Sequence, residues 1–301
     1  MIYIVVLFLS LILTSIMIKI AKRFNVVDKP DNLLKKHNKI TPYLGGISIL
    51  LSFIFFIEGN INLIIFSILI TSLGLIDDIK NISAKYRFIF EFIITFSTAY
   101  LLIDEINFFT TLFLAFVGVS IINSFNMIDG MDGLSSGLAI LSLGFFFLFL
   151  ESYFTLIIIF SIVGFYIYNF PPAKIFLGDA GSYLIGFLLY YHLLIMVQKF
   201  GNGGFFISLV ILGFFLTDLV WAFTRRLINK ENIFNGDKDH IYDKARNILK
   251  NDKKVLLIMY LINIVFGLFS LITWNFKYLG VIISLIMFFI IGRFFKLYSK
   301  T

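Results

Sequence analysis

Asn123-Ser-Phe-Asn126-Met-Ile-Asp129-Gly-Met-Asp132-Gly133-Leu-Ser-Ser-Gly137 sets two amides, two carboxylates and three glycines between two long apolar runs. Ionisable groups against membrane-length segments are costly, and they mark function by default. The spacing of three also bears on shape. On an unbroken helix each step of three falls about 60° short of a full turn, so these four polar residues would spiral apart. Gly130 and Gly133 predict instead that the helix ends near Asp129. Two carboxylates at a helix C-terminus face the unfavourable end of the dipole. A cation should therefore sit beside them, and a metal ion bound to phosphates is the leading candidate.

Two further acidic stretches follow the same pattern. Asp77-Asp78 close an apolar run and precede Lys80, Lys85 and Arg87. Adjacent carboxylates repel, and both stay ionised only among cations. Asn169-Phe-Pro-Pro-Ala-Lys174-Ile-Phe176-Leu-Gly178-Asp179-Ala-Gly181-Ser182 carries an Asp between glycines. Alone it reads as turn chemistry. As a third carboxylate site on one face it suits a hard cation, which takes oxygen ligands together with substrate phosphates. Glu91, four residues from Arg87, is expected to pair with it on one helix face and to be structural. His192, inside an apolar run, reads as a hydrogen-bonded core residue.

The elements that must position these residues are membrane helices. Of 301 residues 59% are hydrophobic and 14% charged, and the mean hydropathy is +0.97. A soluble domain carries about a quarter charged residues. Apolar runs of about 16–21 residues fit helices crossing a core of about 30 Å. The alternating short strands of a β-barrel are absent from the sequence. With no cysteine, disulfides and thiolate metal sites are excluded. The 39 Phe fit lipid-facing and packing positions.

The expectation is a single all-α polytopic domain over 1–301 with eleven spans: about 2–20, 43–58, 61–77, 86–103, 108–125, 133–150, 153–170, 181–198, 204–223, 255–274 and 278–297. Lys19, Lys22 and Arg23 follow the first run, which reads as a retained span with an outside N-terminus. Loops 21–42, 78–85, 126–132, 171–180 and 224–254, with the C-terminus and the residues just inside the adjoining span ends, then hold 23 of the 25 Lys and Arg, leaving Lys199 and Lys277 outside. That bias places the site and the C-terminus in the cytoplasm. The net charge of +7 is thus an orientation signal, and no nucleic-acid partner is expected.

Four motifs in order, Asp77-Asp78, Asn123-x-x-Asn126-x-x-Asp129-Gly-x-Asp132-Gly, Phe176-Leu-Gly-Asp179-Ala-Gly-Ser182 and a His240 loop, resemble the polyprenyl-phosphate N-acetylhexosamine-1-phosphate transferases of the WecA/MraY type. The Asp28-Lys-Pro…Lys35-Lys36-His37…Pro42-x-x-Gly45-Gly46 opening and Ser83-x-Lys85-x-Arg87 are similar to the WecA branch. The family's His-x-His-His run reads here as His240-Ile-Tyr242-Asp243, so only His240 carries over.

The resemblance implies transfer of a sugar 1-phosphate from a UDP-N-acetylhexosamine, UDP-GlcNAc or an epimer, to undecaprenyl phosphate in a bacterial or archaeal plasma membrane, releasing UMP. It implies Mg²⁺, or Mn²⁺, held by Asp179 with Asn126. Asp77 or Asp78 would deprotonate or orient the lipid phosphate, with Asp129, Asp132 and His240 also catalytic. Asn169, Phe176 and Asp132 are implied near the uridine. Lys85, Arg87, Asn123, Arg225 and Arg226 are the remaining substrate candidates, and a homodimer is in keeping with the family. An MraY-type phospho-MurNAc-pentapeptide transferase is the nearer alternative. A transporter is the distant one, disfavoured because the acids sit at helix ends and no internal repeat is visible.

Overall fold

The computed structural model describes residues 2–28, 40–231, 239–276 and 278–299. The Lys29–Pro30 and Lys35–Lys36–His37 part of the opening motif lies outside these. In chain order the helices are α1 (Ile2–Arg23), α2 (Gly45–Phe53), α3 (Ile61–Lys80), α4 (Ala84–Leu102), α5 (Phe108–Ile128) and α6 (Leu134–Leu150), then α7 (Tyr153–Asn169), α8 (Gly178–Ile211), α9 (Gly213–Ile228), α10 (Ile241–Leu249), α11 (Asp252–Phe276) and α12 (Leu279–Phe294). The only strands among the described residues are β1 (Val27–Asp28) and β2 (Thr41–Pro42), antiparallel with Val27 opposite Pro42. The protein is all-α, as composition requires.

Five helices (α1, α3, α5, α8 and α11) are long and apolar enough to cross a membrane, and shorter apolar helices accompany them. Two expected spans take another form. The second becomes α2 followed by a 3₁₀ turn over Ile54–Phe56. Those twelve residues reach only about 18 Å at 1.5 Å per residue. The ninth is interrupted: it parts from the eighth at Gly201 (φ 57°, ψ −139°), a kink within α8 that falls between the two expected spans, and a second break follows at Leu212. A glycine is free to adopt that φ, so two helical segments meet at a kink there.

α8 is the central element. It packs against α3, α5, α11, α2 and α6, and 89% of its most apolar window is buried. Small residues let its first turn approach its neighbours. A Cβ on Gly46 would meet the Gly181 nitrogen at 2.2 Å, and one on Gly74 would meet the Asp179 oxygen at 2.4 Å. Main-chain bonds add to this docking: Phe176 N donates to Pro42 O (2.7 Å), Gly45 N to Phe176 O (3.1 Å) and Gly46 N to Leu177 O (2.9 Å). The 42–46 segment and α3 thus fix where α8 begins.

Candidate active site

The three acidic stretches converge where α3 and α5 end and α8 begins. Asp78, in the last turn of α3, accepts from Asp179 N (2.9 Å, Oδ1) and Ala180 N (3.1 Å, Oδ2). These are among the amides a helix leaves unsatisfied at its N-terminus. A carboxylate at the poor end of one dipole is therefore docked on the good end of another. Asp77, 3% exposed, accepts from Ile82 N (2.7 Å), Arg87 Nη1 (3.0 Å) and Tyr183 OH (2.6 Å). Arg87 also donates to the Tyr183 hydroxyl (3.2 Å).

α5 ends as its glycines suggest, with Asp129 at the C-cap. The Ser135 hydroxyl, in the first turn of α6, donates to the Asp129 carboxyl. Asn126 accepts from Ser182 Oγ on α8 (2.7 Å), leaving its oxygen beside the helix that carries half-buried Asp179. Burial pushes the Asp129 carboxyl up to about 8; the Ser135 bond opposes this, and the charges of Asp179, Asp78 and Asp132 add to it. An acid whose folded value lies above its ordinary 3.8 holds a proton that the unfolded chain has released. Stability is then highest at low pH and falls as pH rises toward about 8. In EDTA, the thermal midpoint of the detergent-solubilised protein should drop between mildly acidic and mildly basic pH. Asp129→Asn should flatten that drop, and an unchanged slope would assign it to other groups.

Other candidates take up framework positions around this cluster. Asp132 Oδ2 accepts from Ala173 N (2.8 Å). Buried Asn169 accepts from Gly133 N (3.0 Å) and Ser136 Oγ (2.9 Å) and donates to Ile175 O (3.0 Å). Together they fasten the 170–176 loop to the start of α6, with Phe176 half-buried at its end. Asn123 turns between helices, donating to Glu91 on α4 and to Val119 O (3.0 Å). Arg87 takes Asp77 as its ion-pair partner, so the expected Arg87–Glu91 pair is replaced by Asn123–Glu91. His192 is buried on Thr155 (3.0 Å) and Leu188 O (2.7 Å), a core residue as read. Lys85 is exposed at the start of α4.

A third group lies on α9 and α10. His240 Nδ1 is 2.6 Å from Asp218 Oδ2, and Asp218 Oδ1 accepts from Ile241 N (2.8 Å). Arg225, 1% exposed, donates to Leu297 O (2.6 Å) in the segment after α12. Arg226 is buried beside it at 6% exposure, over the Phe223 ring. Lys244 pairs with Asp239 (3.0 Å) and donates to Ser299 O (2.7 Å). Tyr183, Ser135 and Asp218 are the functional residues that motif reading passes over. Tyr183 had a signal: it stands four residues after Asp179, on the same helix face.

Oxygen donors suit a hard cation. Among the described residues no three His, Cys, Asp or Glu side chains are grouped to cage a metal ion. An ion held by Asp179 and Asn126 would therefore need substrate phosphates, which is how Mg²⁺ is commonly bound. The residues present fit such an ion.

Glycosyl transferase family 4 matches residues 60–198, a stretch with every acidic motif but not His240. The chain is 33% identical, over 87% of each chain, to a Thermotoga maritima undecaprenyl-phosphate alpha-N-acetylglucosaminyl 1-phosphate transferase. It is 30% identical to a Bacillus subtilis protein named "Probable undecaprenyl-phosphate N-acetylglucosaminyl 1-phosphate transferase", over 99% of this chain and 90% of that one. A phospho-N-acetylmuramoyl-pentapeptide-transferase of Prochlorococcus marinus is 34% identical over 62% of this chain and 65% of its own. Likeness at this level, running nearly end to end and through the helices that gather the acids, makes this chain a member of glycosyl transferase family 4.

Proposed function

We propose that this chain transfers N-acetylglucosamine 1-phosphate from UDP-GlcNAc to undecaprenyl phosphate on the cytoplasmic face of a bacterial or archaeal plasma membrane. The full-length relatives named for that acceptor and sugar support it. The observation that carries the reading is the Asp78 clasp on the first amides of α8, which sets Asp179 beside Asn126, Asp129 and Asp77. Eleven spans with an outside N-terminus are proposed from the charge bias, with the break at Leu212 inside the ninth.

In the reaction, an oxygen of the lipid phosphate attacks the β-phosphorus of the nucleotide sugar. The new P–O bond forms as the α–β anhydride P–O bond breaks, and UMP leaves with that electron pair. A phosphate monoester has a second pKa of about 6 and is largely dianionic at neutral pH. The attacking oxygen thus needs placement more than deprotonation. Both Asp77 oxygens and both Asp78 oxygens already accept hydrogen bonds, which supports positioning roles for the pair. Direct attack is proposed over a covalent aspartyl phosphate for the same reason. Asp179 and Asn126 would hold Mg²⁺, which supplies charge neutralisation on the diphosphate. Arg87 and exposed Lys85 provide the cationic rim for the lipid phosphate, while Asp132, Asn169 and Phe176 shape the nucleotide side. A homodimer is part of the same reading, by family likeness alone.

The test is UMP release by the purified protein with undecaprenyl phosphate across UDP-GlcNAc, UDP-GalNAc and UDP-MurNAc-pentapeptide. Turnover with UDP-GlcNAc, abolished by EDTA and restored by Mg²⁺, is the expected result. Turnover confined to the pentapeptide donor would move the chain to the MraY type. EDTA-resistant turnover would remove the metal.

A further inference from the structure

Arg87 has a choice of carboxyl groups and bonds to one of them. Glu91 stands four residues further along α4, on the same helix face. It is 1% exposed. Its Oε2 accepts from Asn123, while its Oε1 is buried without a hydrogen-bond partner among the described residues. A buried carboxyl oxygen with no donor is a costly arrangement that a guanidinium would relieve. The charge of Arg87 does reach Glu91, yet its N–H groups go elsewhere.

A hydroxyl from α8 decides the choice. Tyr183, 1% exposed, donates to Asp77 Oδ2 (2.6 Å) and accepts from Arg87 Nη1 (3.2 Å). Arg87 Nη1 also donates to that same Asp77 oxygen, at 3.0 Å. The three groups close a triangle in which the phenol accepts from the cation and donates to the anion. Its Asp77 corner is fixed in turn by Ile82 N (2.7 Å). Without the hydroxyl, Nη1 would keep a single acceptor, and the unpartnered Glu91 oxygen would compete for it.

Both bonds of Arg87 leave from Nη1. Among the described residues Nε and Nη2 have no hydrogen-bond partner, and the side chain is 28% exposed. These two nitrogens form an edge of the guanidinium that can grip an oxyanion with parallel bonds. The same grip is made elsewhere in this protein, where Arg246 Nε and Nη2 hold the two oxygens of Asp252 at 2.6 Å each. A phosphate monoester presents a matching pair of oxygens with more charge. Drawn to Glu91, the guanidinium would take that edge with it.

We propose that Tyr183 is a positioning residue for the lipid acceptor: its hydroxyl pins Arg87 Nη1 to Asp77 and away from Glu91, which holds the Nε–Nη2 edge ready for the phosphate of the lipid. This rests on the transferase reading above. The full-length protein in detergent with Mg²⁺ is assayed for UMP release as wild type, Tyr183→Phe, Glu91→Gln and the double variant. Undecaprenyl phosphate and the donor that the wild type accepts are varied in turn.

A ligand that needs a conformation populated only in part binds more weakly by that fraction. Tyr183→Phe should therefore raise KM for undecaprenyl phosphate by about tenfold, the scale of one hydrogen bond to a charged group. KM for the nucleotide sugar and the Mg²⁺ concentration giving half-maximal turnover should stay as in wild type. Glu91→Gln removes the competing charge and keeps an acceptor for Asn123, so alone it should leave KM for the lipid close to wild type. In the double variant the rise should shrink to about twofold, because the two sites act on one guanidinium. An unchanged KM for the lipid in Tyr183→Phe, or an equal rise in both KM values, would overturn the assignment while leaving the transferase reading intact. So would a double variant no better than Tyr183→Phe. Failure of Tyr183→Phe to fold would make the hydroxyl a structural tie and overturn the assignment too. Should Glu91→Gln not fold, the KM split in Tyr183→Phe decides alone. No turnover by wild type with UDP-GlcNAc, UDP-GalNAc or the pentapeptide donor would overturn the transferase reading, and this proposal with it.

Discussion

Asp179→Asn should cut turnover on the order of 10³-fold, the scale on which a fixed charge at the reacting centre is felt. The substitution keeps shape and changes one oxygen to nitrogen. Little else depends on the side chain, because the Asp179 main chain is what its neighbours hold: its amide on Asp78 at 2.9 Å and its carbonyl within 2.4 Å of where a Gly74 Cβ would stand. The thermal midpoint should therefore stay close to wild type, while no concentration of Mg²⁺ restores turnover. UMP release at saturating substrates, read beside thermal unfolding, checks both halves. Near-wild-type turnover with Mg²⁺ would remove Asp179 from the metal site. A lost midpoint would mean that the carboxylate supports the fold.

Much of this arrangement is legible in the chain itself, because it depends on neighbours in sequence. The end of α5 at Asp129 follows from Gly130 and Gly133, and the paired Gly45–Gly46 announce a close backbone approach, which falls on Gly181. Partnerships across helices are not written locally. Arg87 has Glu91 one turn away and takes Asp77 instead, because the end of α3 and Tyr183 of α8 meet on that side of α4. Asn123 then turns to Glu91. Arg225 and Lys244 look like free basic residues in sequence and hold carbonyls of the segment after α12, which periodicity cannot reveal. Hydropathy misreads α2 and the break at Leu212 for a related reason. It counts apolar residues and is blind to a break inside an apolar run, or to where docking on 176–181 replaces helix length.

Asp78 lies between these two kinds of feature, and the effect of removing it distinguishes two roles for the residue. Asp78→Ala should lower kcat about 100-fold, the cost of misplacing a reacting group by about 1 Å. The reason is mechanical. Without the carboxylate, the Asp179 and Ala180 amides lose their acceptors in a first turn packed against Gly46 and Gly74. Each unsatisfied buried donor costs about 1–3 kcal/mol, so the turn should relieve itself by moving. Asp179 would move with it, and the Mg²⁺ concentration giving half-maximal turnover should rise at least severalfold. A general base acting on the lipid phosphate would behave otherwise: its loss would remove a limb of the pH profile and leave the Mg²⁺ requirement untouched. Asp78→Asn keeps one acceptor oxygen for one amide and turns an N–H toward the other. Its turnover should fall between wild type and Asp78→Ala, with a smaller shift in the Mg²⁺ requirement. Titrating Mg²⁺ against turnover in the three proteins therefore reads out what Asp78 does. Parallel curves of unequal height would return the residue to direct chemistry. Curves displaced along the Mg²⁺ axis in the order wild type, Asn, Ala would make it the carboxylate that sets α8 in place.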